Sequence, residues 1–300
     1  MGEEFRKIDL FIVGAQKAGT TSLFNYLKEH PLIEGHISQE LSYFINDDEY
    51  KKGCSFMFKK YYNKYNKNNK SILIAKNAGL YVNETAIKRL HNHNKDCKIV
   101  YILREPVSRT ISSFLMEKNS GWLKNDFKEL PNEIKKHENG KYSLMYKLFI
   151  NQSLYLKHLT TIYKYFNKEN VYIYLFDDFK TQPIKIYKDI IKKLNIDIDF
   201  TPNFKIIYNQ QKSVKSENFE SFLHKFRKEN NIIKRLVKKL IPYKIFIKVS
   251  NYILKLNRQE STKNKFLIDS KTVEFLKDFY KKYNDELSQF CGIDLTFWNK

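Results

Sequence analysis

Residues 8–27 read IDLFIVGAQKAGTTSLFNYL. The apolar run from Ile8 to Val13 is short and stops at Gly14, which is typical of a buried β-strand. From Thr20 onward the apolar residues recur at helical spacing, and this helix must end before Pro31. The stretch therefore predicts a strand, a glycine-containing loop and a helix, in that order.

The alternation of strand and helix continues along the chain. The pattern predicts strands at 71–74, 98–103 and 171–176, and helices at 83–92, 107–118 and 151–166. Strands that alternate with helices predict a parallel sheet that is covered on both faces. The tract 50–70 has no firm period, and we expect it to be a surface connection.

The C-terminal part of the chain has a helical pattern. Residues 217–256 are basic and helical with a break at Pro242, and 271–290 predict another helix. No internal repeat and no linker rich in Pro, Gly or Ser divides the sequence. We therefore predict a single domain over residues 1–300. Its fold class is α/β: a P-loop-like three-layer domain with a central parallel sheet flanked by helices, plus a helical C-terminal annex at about 217–270.

The loop between the first strand and the first helix has the features of an anion site. Its glycines allow a tight turn, free amides at the helix start can point at an anion, and hydroxyls add donors. A Walker loop has lysine directly after its second glycine, whereas here Thr20 follows Gly19, so an ordinary ATPase or kinase fits poorly. The alternative is a plain turn with a solvated lysine. The candidate residues are Lys17, Ala18, Gly19, Thr20, Thr21 and Ser22.

A second candidate anion site lies at 103–114, where the sequence reads LREPVSRTISSF. Pro106 can start a helix, and Ser112 lies eight residues beyond Arg104, about two helical turns along. Arg104 follows the carboxyl end of a predicted strand, where open parallel sheets bind their ligands. An arginine and a hydroxyl can together hold a phosphate. The alternative is that Arg104 pairs with Glu105.

The composition predicts an anionic partner. The 300 residues include 54 Lys and Arg against 33 Asp and Glu, a net charge of +21. This surplus suits nucleic acid, an anionic membrane surface, an acidic glycan or a phosphorylated small molecule, without choosing among them.

No run reaches the ~18 apolar residues of a membrane-spanning helix. Three cysteines without a Cys-x-x-Cys pair predict neither a disulfide framework nor structural zinc, so we expect a cytoplasmic setting.

Together, GAQKAGTTSL at 14–23 and LREPVSRTISSF resemble the sulfotransferase family that uses 3′-phosphoadenosine 5′-phosphosulfate (PAPS). The resemblance covers nearly the whole chain, and it is strongest to the branch of heparan sulfate and bacterial carbohydrate sulfotransferases. It implies that the first loop binds the 5′-phosphosulfate and that Arg104 and Ser112 bind the 3′-phosphate. It also implies a nucleotide contact from Lys212 in the late segment NFKIIYNQQKS, with Lys215 as the competing candidate.

The resemblance also assigns the catalytic roles. It implies that Lys17 stabilises the bridging or leaving oxygen as charge develops there. Glu40, in SQELSYF, matches the catalytic glutamate of the carbohydrate branch and is the candidate general base; the alternative is a simple ion pair with a lysine. Lys76 matches a lysine that contacts the sulfo group or the acceptor. We expect no metal, because the donor is already activated.

Several positions depart from the family pattern. Gln39 stands where many members have Lys, and Ser42 stands where some have His. Around Lys76, Ala75 replaces a Glu, and Asn77-Ala78 replaces Thr-Pro. These changes retain the candidate base and leave the identity of the acceptor open.

The implied reaction is sulfuryl transfer to a hydroxyl or amine of a carbohydrate, so a saccharide or glycan is the expected partner. A lipid, phenol or peptide acceptor is the alternative within this reaction class. A basic nucleic-acid-binding protein is the alternative from another class, although no recognised motif indicates specific nucleic-acid binding. The basic amphipathic annex can pack on the domain or contact an anionic membrane peripherally. The sequence does not predict the oligomeric state.

Overall fold

A five-stranded parallel sheet organises the fold. The computed structural model describes residues 5–62, 70–120, 123–196, 199–206, 208, 213–214, 258–259 and 268–300. The strands of the sheet are β1 (Leu10–Gly14), β2 (Ile33–Gly35), β3 (Ile72–Lys76), β4 (Lys98–Leu103) and β5 (Val171–Leu175). They lie in the order β2-β3-β1-β4-β5, and every neighbouring pair is parallel.

Because the five strands run in the same direction, their carboxyl ends meet at one edge of the sheet. Ile12 of β1 is opposite Lys76 of β3, and Leu103 of β4 is opposite Leu175 of β5. Every residue of β1 is buried, as expected of a central parallel strand covered on both faces. The predicted α/β fold with a central parallel sheet and helices around it is confirmed.

Helices alternate with these strands along the chain. In the described residues the α-helices are α1 (Thr20–Lys28), α2 (Asp47–Tyr50), α3 (Gly53–Tyr61), α4 (Glu84–His93), α5 (Pro106–Asn119), α6 (Leu130–Glu138), α7 (Tyr155–Tyr163), α8 (Phe176–Thr181), α9 (Pro183–Lys193) and α10 (Ser270–Cys291). Short 3-10 turns lie at Leu80–Val82, Phe127–Glu129, Asn151–Ser153, Lys168–Asn170 and Thr296–Asn299, and a π-helical turn lies at Tyr146–Ile150. None of the helices described has both the length and the apolarity to cross a membrane.

The strand β2 and the helix α3 were not expected from the sequence pattern. β2 has only three residues, all paired with β3, and so few residues cannot display a period. The tract 50–70, expected to be a surface connection, contains α3, in which Met57, Phe58 and Tyr61 are buried. The exposed residues Lys59 and Lys60 interrupt the buried stripe, so that expectation was wrong.

The chain divides into two compact units. One comprises residues 1–109, 150–209 and 278–300 and contains the whole five-stranded sheet. The other comprises 110–149 and 210–277 and contains the antiparallel pair β6 (Ser213–Val214) and β7 (Arg258–Gln259). The predicted annex at 217–270 lies outside the described residues, apart from 258–259 and 268–270. The single domain over 1–300 stays a prediction.

Candidate active site

The loop between β1 and α1 has the geometry of an anion site. Lys17 and Gly19 both adopt left-handed backbone conformations, with φ of 73° and 76°. Gly19 directly precedes α1, and no side chain in the described part of the chain caps that helix end. The first amides of α1 therefore have no side-chain cap, as in helix ends that bind anions, and the hydroxyls of Thr20, Thr21 and Ser22 lie in the same turn. Oγ of Ser22 donates to the carbonyl of Tyr208 at 3.4 Å.

Two aromatic rings hold the backbone of this loop in place. A Cβ on Gly19 would lie 2.9 Å from ring carbons of Phe179, and its positive φ also favours glycine. A Cβ on Gly14 would lie 2.4 Å from Cδ1 of Tyr81, a distance that side chains do not tolerate. Both glycines are thus required by close packing, and the loop is supported from two sides.

Arg104 follows β4 and is held against the same loop. Its Nη1 donates to the carbonyl of Lys17 at 2.8 Å, and its guanidinium lies 4.9 Å from the ring centre of Phe176. Its own carbonyl accepts from the hydroxyl of Tyr155 at 2.7 Å. The buried Nε has no hydrogen-bond partner within the described residues, and burial lowers the pKa of Arg104. A desolvated guanidinium with an unused donor is suited to bind a phosphate.

The second arginine of the motif, Arg109, belongs to the interior. It is fully buried, its Nε donates to Oγ of Ser153 at 2.5 Å, and its Nη1 donates to Oε1 of Gln152 at 3.2 Å. Arg104 is therefore the arginine of this motif at the sheet edge. Ser112 is half-buried on α5 and belongs to the second compact unit, so its contact with a 3′-phosphate stays a prediction.

Glu40 and Lys76 form an ion pair at the carboxyl end of β3. Nζ of Lys76 donates to Oε1 of Glu40 at 2.6 Å, and the amide of Ala78 donates to Oε2 at 3.0 Å. The lysine side chain is 1% exposed, whereas that of Glu40 is 32% exposed. The carboxylate is thus held through both oxygens and still faces solvent, where an incoming substrate can reach it.

The segment that carries Glu40 is also tied to the sheet through its backbone. The amide of Leu41 donates to the carbonyl of Lys76 at 2.8 Å, and Nδ2 of Asn77 donates to the carbonyl of Leu41 at 3.1 Å. Because β3, β1 and β4 are neighbours, the ion pair, the β1–α1 loop and Arg104 lie along one sheet edge. The departures at 75–78 therefore leave the contact between Lys76 and Glu40 intact.

The donors along this edge are suited to anions. They comprise helix amides, hydroxyls, lysines and an arginine, which can hold two separate anionic groups next to a carboxylate that accepts a proton. Among the described residues, no group of three or more His, Cys, Asp or Glu side chains could hold a metal ion.

A model of the sulfotransferase domain matches residues 7–290. The chain belongs to the sulfotransferase family. The predicted family and the predicted class of enzyme are confirmed.

Relatives of this sulfotransferase include proteins named for heparan sulfate. Heparan sulfate glucosamine 3-O-sulfotransferase 5 of Mus musculus is 31% identical over 192 residues, 62% of this chain and 52% of that protein. The membrane-associated sulfotransferase kil1 of Dictyostelium discoideum is 31% identical over 117 residues, 39% of this chain and 24% of that protein. The bifunctional heparan sulfate N-deacetylase/N-sulfotransferase 1 of Caenorhabditis briggsae is 22% identical over 199 residues, 63% and 22% of the two chains. The chain spans about half the length, or less, of these curated relatives.

A solved sulfotransferase shares the fold. The structure of the sulfotransferase from Alicyclobacillus acidocaldarius matches with a TM-score of 0.64, and the match covers 98% of this chain and 100% of that one. The two sequences are 18% identical, so the likeness establishes the fold alone. It agrees with the α/β architecture predicted from the alternation of strands and helices.

Ala18 and Lys212 are two further predicted nucleotide contacts. Ala18 is buried, and its amide donates to the carbonyl of Ala15 at 3.2 Å, so that this donor is engaged within the loop. Lys212 lies outside the described residues, as does its competitor Lys215, and their contact with the nucleotide stays a prediction. The remaining candidates in the loop and at the end of β4 lie at the sheet edge.

Sequence reasoning missed the aromatic support of the site. Phe176 lies under the guanidinium of Arg104, and Phe179 packs against Gly19. Both belong to α8, which directly follows β5. Because β5 is adjacent to β4, an aromatic residue directly after β5 is a signal that could have indicated a contact with Arg104.

Proposed function

We propose that this chain transfers the sulfuryl group of PAPS to a hydroxyl or amine of a carbohydrate, with Glu40 as general base. The observation that carries the proposal is the 2.6 Å pair of Glu40 and Lys76 on the sheet edge that also holds an anion-binding loop. In-line transfer requires that the protein hold donor and acceptor together and neutralise charge on the leaving oxygen.

Donor binding is assigned to the β1–α1 loop and to Arg104. The first amides of α1, with that of Ser22 among them, and the hydroxyls of Thr20 and Thr21 suit the 5′-phosphosulfate, because a helix start favours negative charge. Arg104 suits the 3′-phosphate, and Ser112 and Lys212 are further candidate contacts. The donor set therefore fits a nucleotide with anionic groups at two separated places.

Two lysines neutralise charge during transfer. As the bond between sulfur and the bridging oxygen breaks, the leaving phosphate oxygen gains negative charge, which Lys17 stabilises. Lys76 is already shielded from water at 1% exposure. Its attraction to a sulfuryl oxygen is therefore stronger than that of a solvated ammonium.

Glu40 accepts the proton of the acceptor. Each carboxylate oxygen has two lone pairs, and each already accepts one hydrogen bond, from Lys76 or from the amide of Ala78. A lone pair is therefore left for the hydroxyl or amine of the substrate. The acceptor atom forms its bond to sulfur, its proton moves to Glu40, and adenosine 3′,5′-bisphosphate (PAP) leaves.

The relatives and the charge support a carbohydrate acceptor. Two relatives are named for heparan sulfate, one as an O-sulfotransferase and the other as an N-sulfotransferase. The net charge of +21 suits an acidic glycan. Because the names cover both O- and N-sulfation, and Gln39 and Ser42 differ from many family members, the proposal includes both hydroxyl and amine acceptors.

An acceptor panel tests the proposal. The purified chain is incubated with radiolabelled PAPS and, separately, with desulfated heparan saccharides, a phenol, a tyrosine peptide and a glycolipid. We expect label on the saccharide and its loss with Glu40→Gln. Label only on the phenol, peptide or lipid aglycone would reject the carbohydrate acceptor. Absence of transfer to every acceptor by a chain that binds PAP would reject the proposed reaction.

A further inference from the structure

His36 is a fully buried histidine that lies between Glu40 and Lys76 in the hydrogen-bond network. It follows β2, and its ring stacks on Phe24 with 4.5 Å between ring centres. Its Nε2 lies 3.1 Å from the amide nitrogen of Lys76 and 3.2 Å from the carbonyl oxygen of the same residue. Its Nδ1 lies 3.2 Å from Oγ of Ser38.

The neighbouring hydrogen bonds determine which ring nitrogen carries the proton. Oγ of Ser38 donates its single hydrogen to the carbonyl of Glu40 at 2.9 Å, so toward His36 it can only accept. Nδ1 of His36 must then be the protonated nitrogen, and Nε2 accepts from the amide of Lys76. The carbonyl of Lys76 already accepts from the amide of Leu41, so it does not need a proton from Nε2.

The surroundings keep the imidazole neutral. Burial is the main cause, and the cations of Lys76 and Lys28 add to it; together they lower the pKa of His36 to about 3. Lys28 also donates from Nζ to the carbonyl of His36 at 3.0 Å, which holds the histidine backbone. A neutral ring can donate at one nitrogen and accept at the other, as the two contacts require.

We propose that His36, as the neutral Nδ1–H tautomer, is a positioning residue for Glu40 and Lys76. Its ring links the backbone of Lys76 through Ser38 to the backbone of Glu40, while the side chains of the pair meet at 2.6 Å. The inference rests on the proposed function, because it assumes that Glu40 is the base. It assigns a role to a fully buried residue that acts through its contacts with the backbone.

The consequence is that the geometry of the base depends on a backbone link. Residues 36–40 form a loop, and the carboxylate of Glu40 must be held beside the acceptor with little positional freedom. Displacement of a reacting group by about 1 Å can lower turnover by about 10²-fold. Loss of the His36 link should therefore lower kcat and leave nucleotide binding at the β1–α1 loop nearly unchanged.

A matched pair of variants tests this expectation. His36→Phe retains the aromatic stack and removes both hydrogen bonds of the ring. The kcat should fall about 10- to 100-fold, whereas PAP affinity should stay within about twofold of that of the unmodified chain. His36→Gln restores an acceptor for the amide of Lys76 and should recover part of kcat. His93→Phe is the control, because the ring of His93 also accepts a backbone amide, that of Ile8 at 3.1 Å, at the opposite end of the sheet. The kcat of His93→Phe should be unchanged. A normal kcat for His36→Phe would overturn the inference.

A double-mutant cycle distinguishes positioning from general damage. In a Glu40→Gln background, adding His36→Phe should lower the residual turnover by no more than about twofold, since the base is already removed. An equal fold-loss in both backgrounds would show that His36 acts independently of Glu40. Full activity of Glu40→Gln alone is a separate result, and it would reject the proposed function.

Nitrogen NMR of the histidine rings tests the tautomer without relying on activity. In uniformly ¹⁵N-labelled protein, the signal absent from His36→Phe or His36→Gln identifies the ring. We expect Nδ1 protonated and Nε2 unprotonated at neutral pH. A ring protonated at Nε2, or at both nitrogens, would overturn the inference and leave the role of Glu40 untouched. If His36→Phe does not fold, the signal of His36 is assigned with His36→Gln, and the spectrum of the unmodified chain still shows which nitrogen is protonated.

Discussion

Nζ of Lys76 and Oε1 of Glu40 lie 2.6 Å apart, although the residues are separated by 36 positions in the sequence. The lysine is almost inaccessible and the carboxylate is partly exposed, so the pair presents its acidic member to the substrate. Removing one member of such a pair leaves the other without its partner in a desolvated place. Substitutions that preserve size and hydrogen bonding are therefore the informative ones.

Glu40→Gln should separate binding from chemistry. The amide retains the size of the carboxylate but cannot take the acceptor proton, so turnover should fall by about 10²–10⁴. PAP affinity should change little, because Glu40 is assigned no contact with the nucleotide. Calorimetry for PAP and initial rates at saturating acceptor measure the two effects. Near-normal turnover would mean that another group is the base.

Lys17→Ala should weaken donor binding and slow turnover together. Its side chain is assigned to the donor in the ground state and to the leaving oxygen as charge develops. The carbonyl that accepts from Arg104 at 2.8 Å belongs to the backbone, so alanine retains that contact. The measurements are donor KM and kcat. The control is Lys164→Ala, which removes an exposed ion pair with Glu84. Loss of kcat with normal donor KM would contradict a ground-state contact.

Arg104→Ala should remove the preference for PAP over AMP. A charged hydrogen bond contributes about 1.5–3 kcal/mol, so PAP affinity should fall about 10- to 100-fold while AMP affinity changes little. Arg89→Ala, which removes an arginine that contacts the carbonyl of Phe44, is the matched control. Calorimetric titration with both nucleotides checks this. If the unmodified chain bound PAP and AMP equally, the assignment of Arg104 to the 3′-phosphate would be wrong.

Turnover should persist in the presence of EDTA. The groups assigned to the leaving oxygen and the phosphates are lysine, arginine, hydroxyls and helix amides, which neutralise charge without a divalent ion. Rates measured with EDTA and with added Mg²⁺ should agree within about twofold. Strict dependence on Mg²⁺, recovered when the ion is restored, would instead support a kinase-like mechanism.

Stability should fall as the pH falls below ~6.5, the ordinary histidine pKa. Burial is the main cause that lowers the pKa of His36 to about 3 and those of His93 and His158 to about 4. Because these folded-state values are depressed, the unfolded chain binds more protons between ~6.5 and 4, and the stability present above ~6.5 is lost as pH falls.

Each histidine should contribute a slope of up to about 1.4 kcal/mol per pH unit. Urea unfolding at about pH 7, 6 and 5 measures the free energy of unfolding. His93→Phe should reduce the slope by one histidine's share, since it removes one titrating group outside the proposed active site. An unfolding free energy that does not change over this range would contradict the prediction.

The sequence predicted the elements that short-range pattern controls. The strand at 98–103 was placed at its observed bounds, and the loop after β1 and Arg104 after β4 were located by their motifs. Glu40 and Lys76 were named separately, but their contact depends on β2, a three-residue strand without a readable period. Long-range pairing of this kind is fixed by the sheet order, which is a property of tertiary packing.

The support from His36 could not be predicted, and that from Phe176 was missed, for a related reason. A lone histidine in a loop gives no sign of its ring partners, which come from the end of β3, 40 positions away. Phe176 directly follows β5, and this place indicates a contact with Arg104 only once β5 is known to lie beside β4. In both cases the contact is made across strands that are neighbours in space and distant in sequence.

The packing of α8 also bears on the order of events during synthesis. Gly19 and Arg104 leave the ribosome well before Phe176 and Phe179, the rings that pack on them. A nascent chain arrested before residue 176 therefore contains both proposed nucleotide-binding motifs without the aromatic residues that pack on them. We expect the nascent chain to bind nucleotide only after α8 has emerged. A free nucleotide should therefore bind only chains in which all strands through β5 have been synthesised.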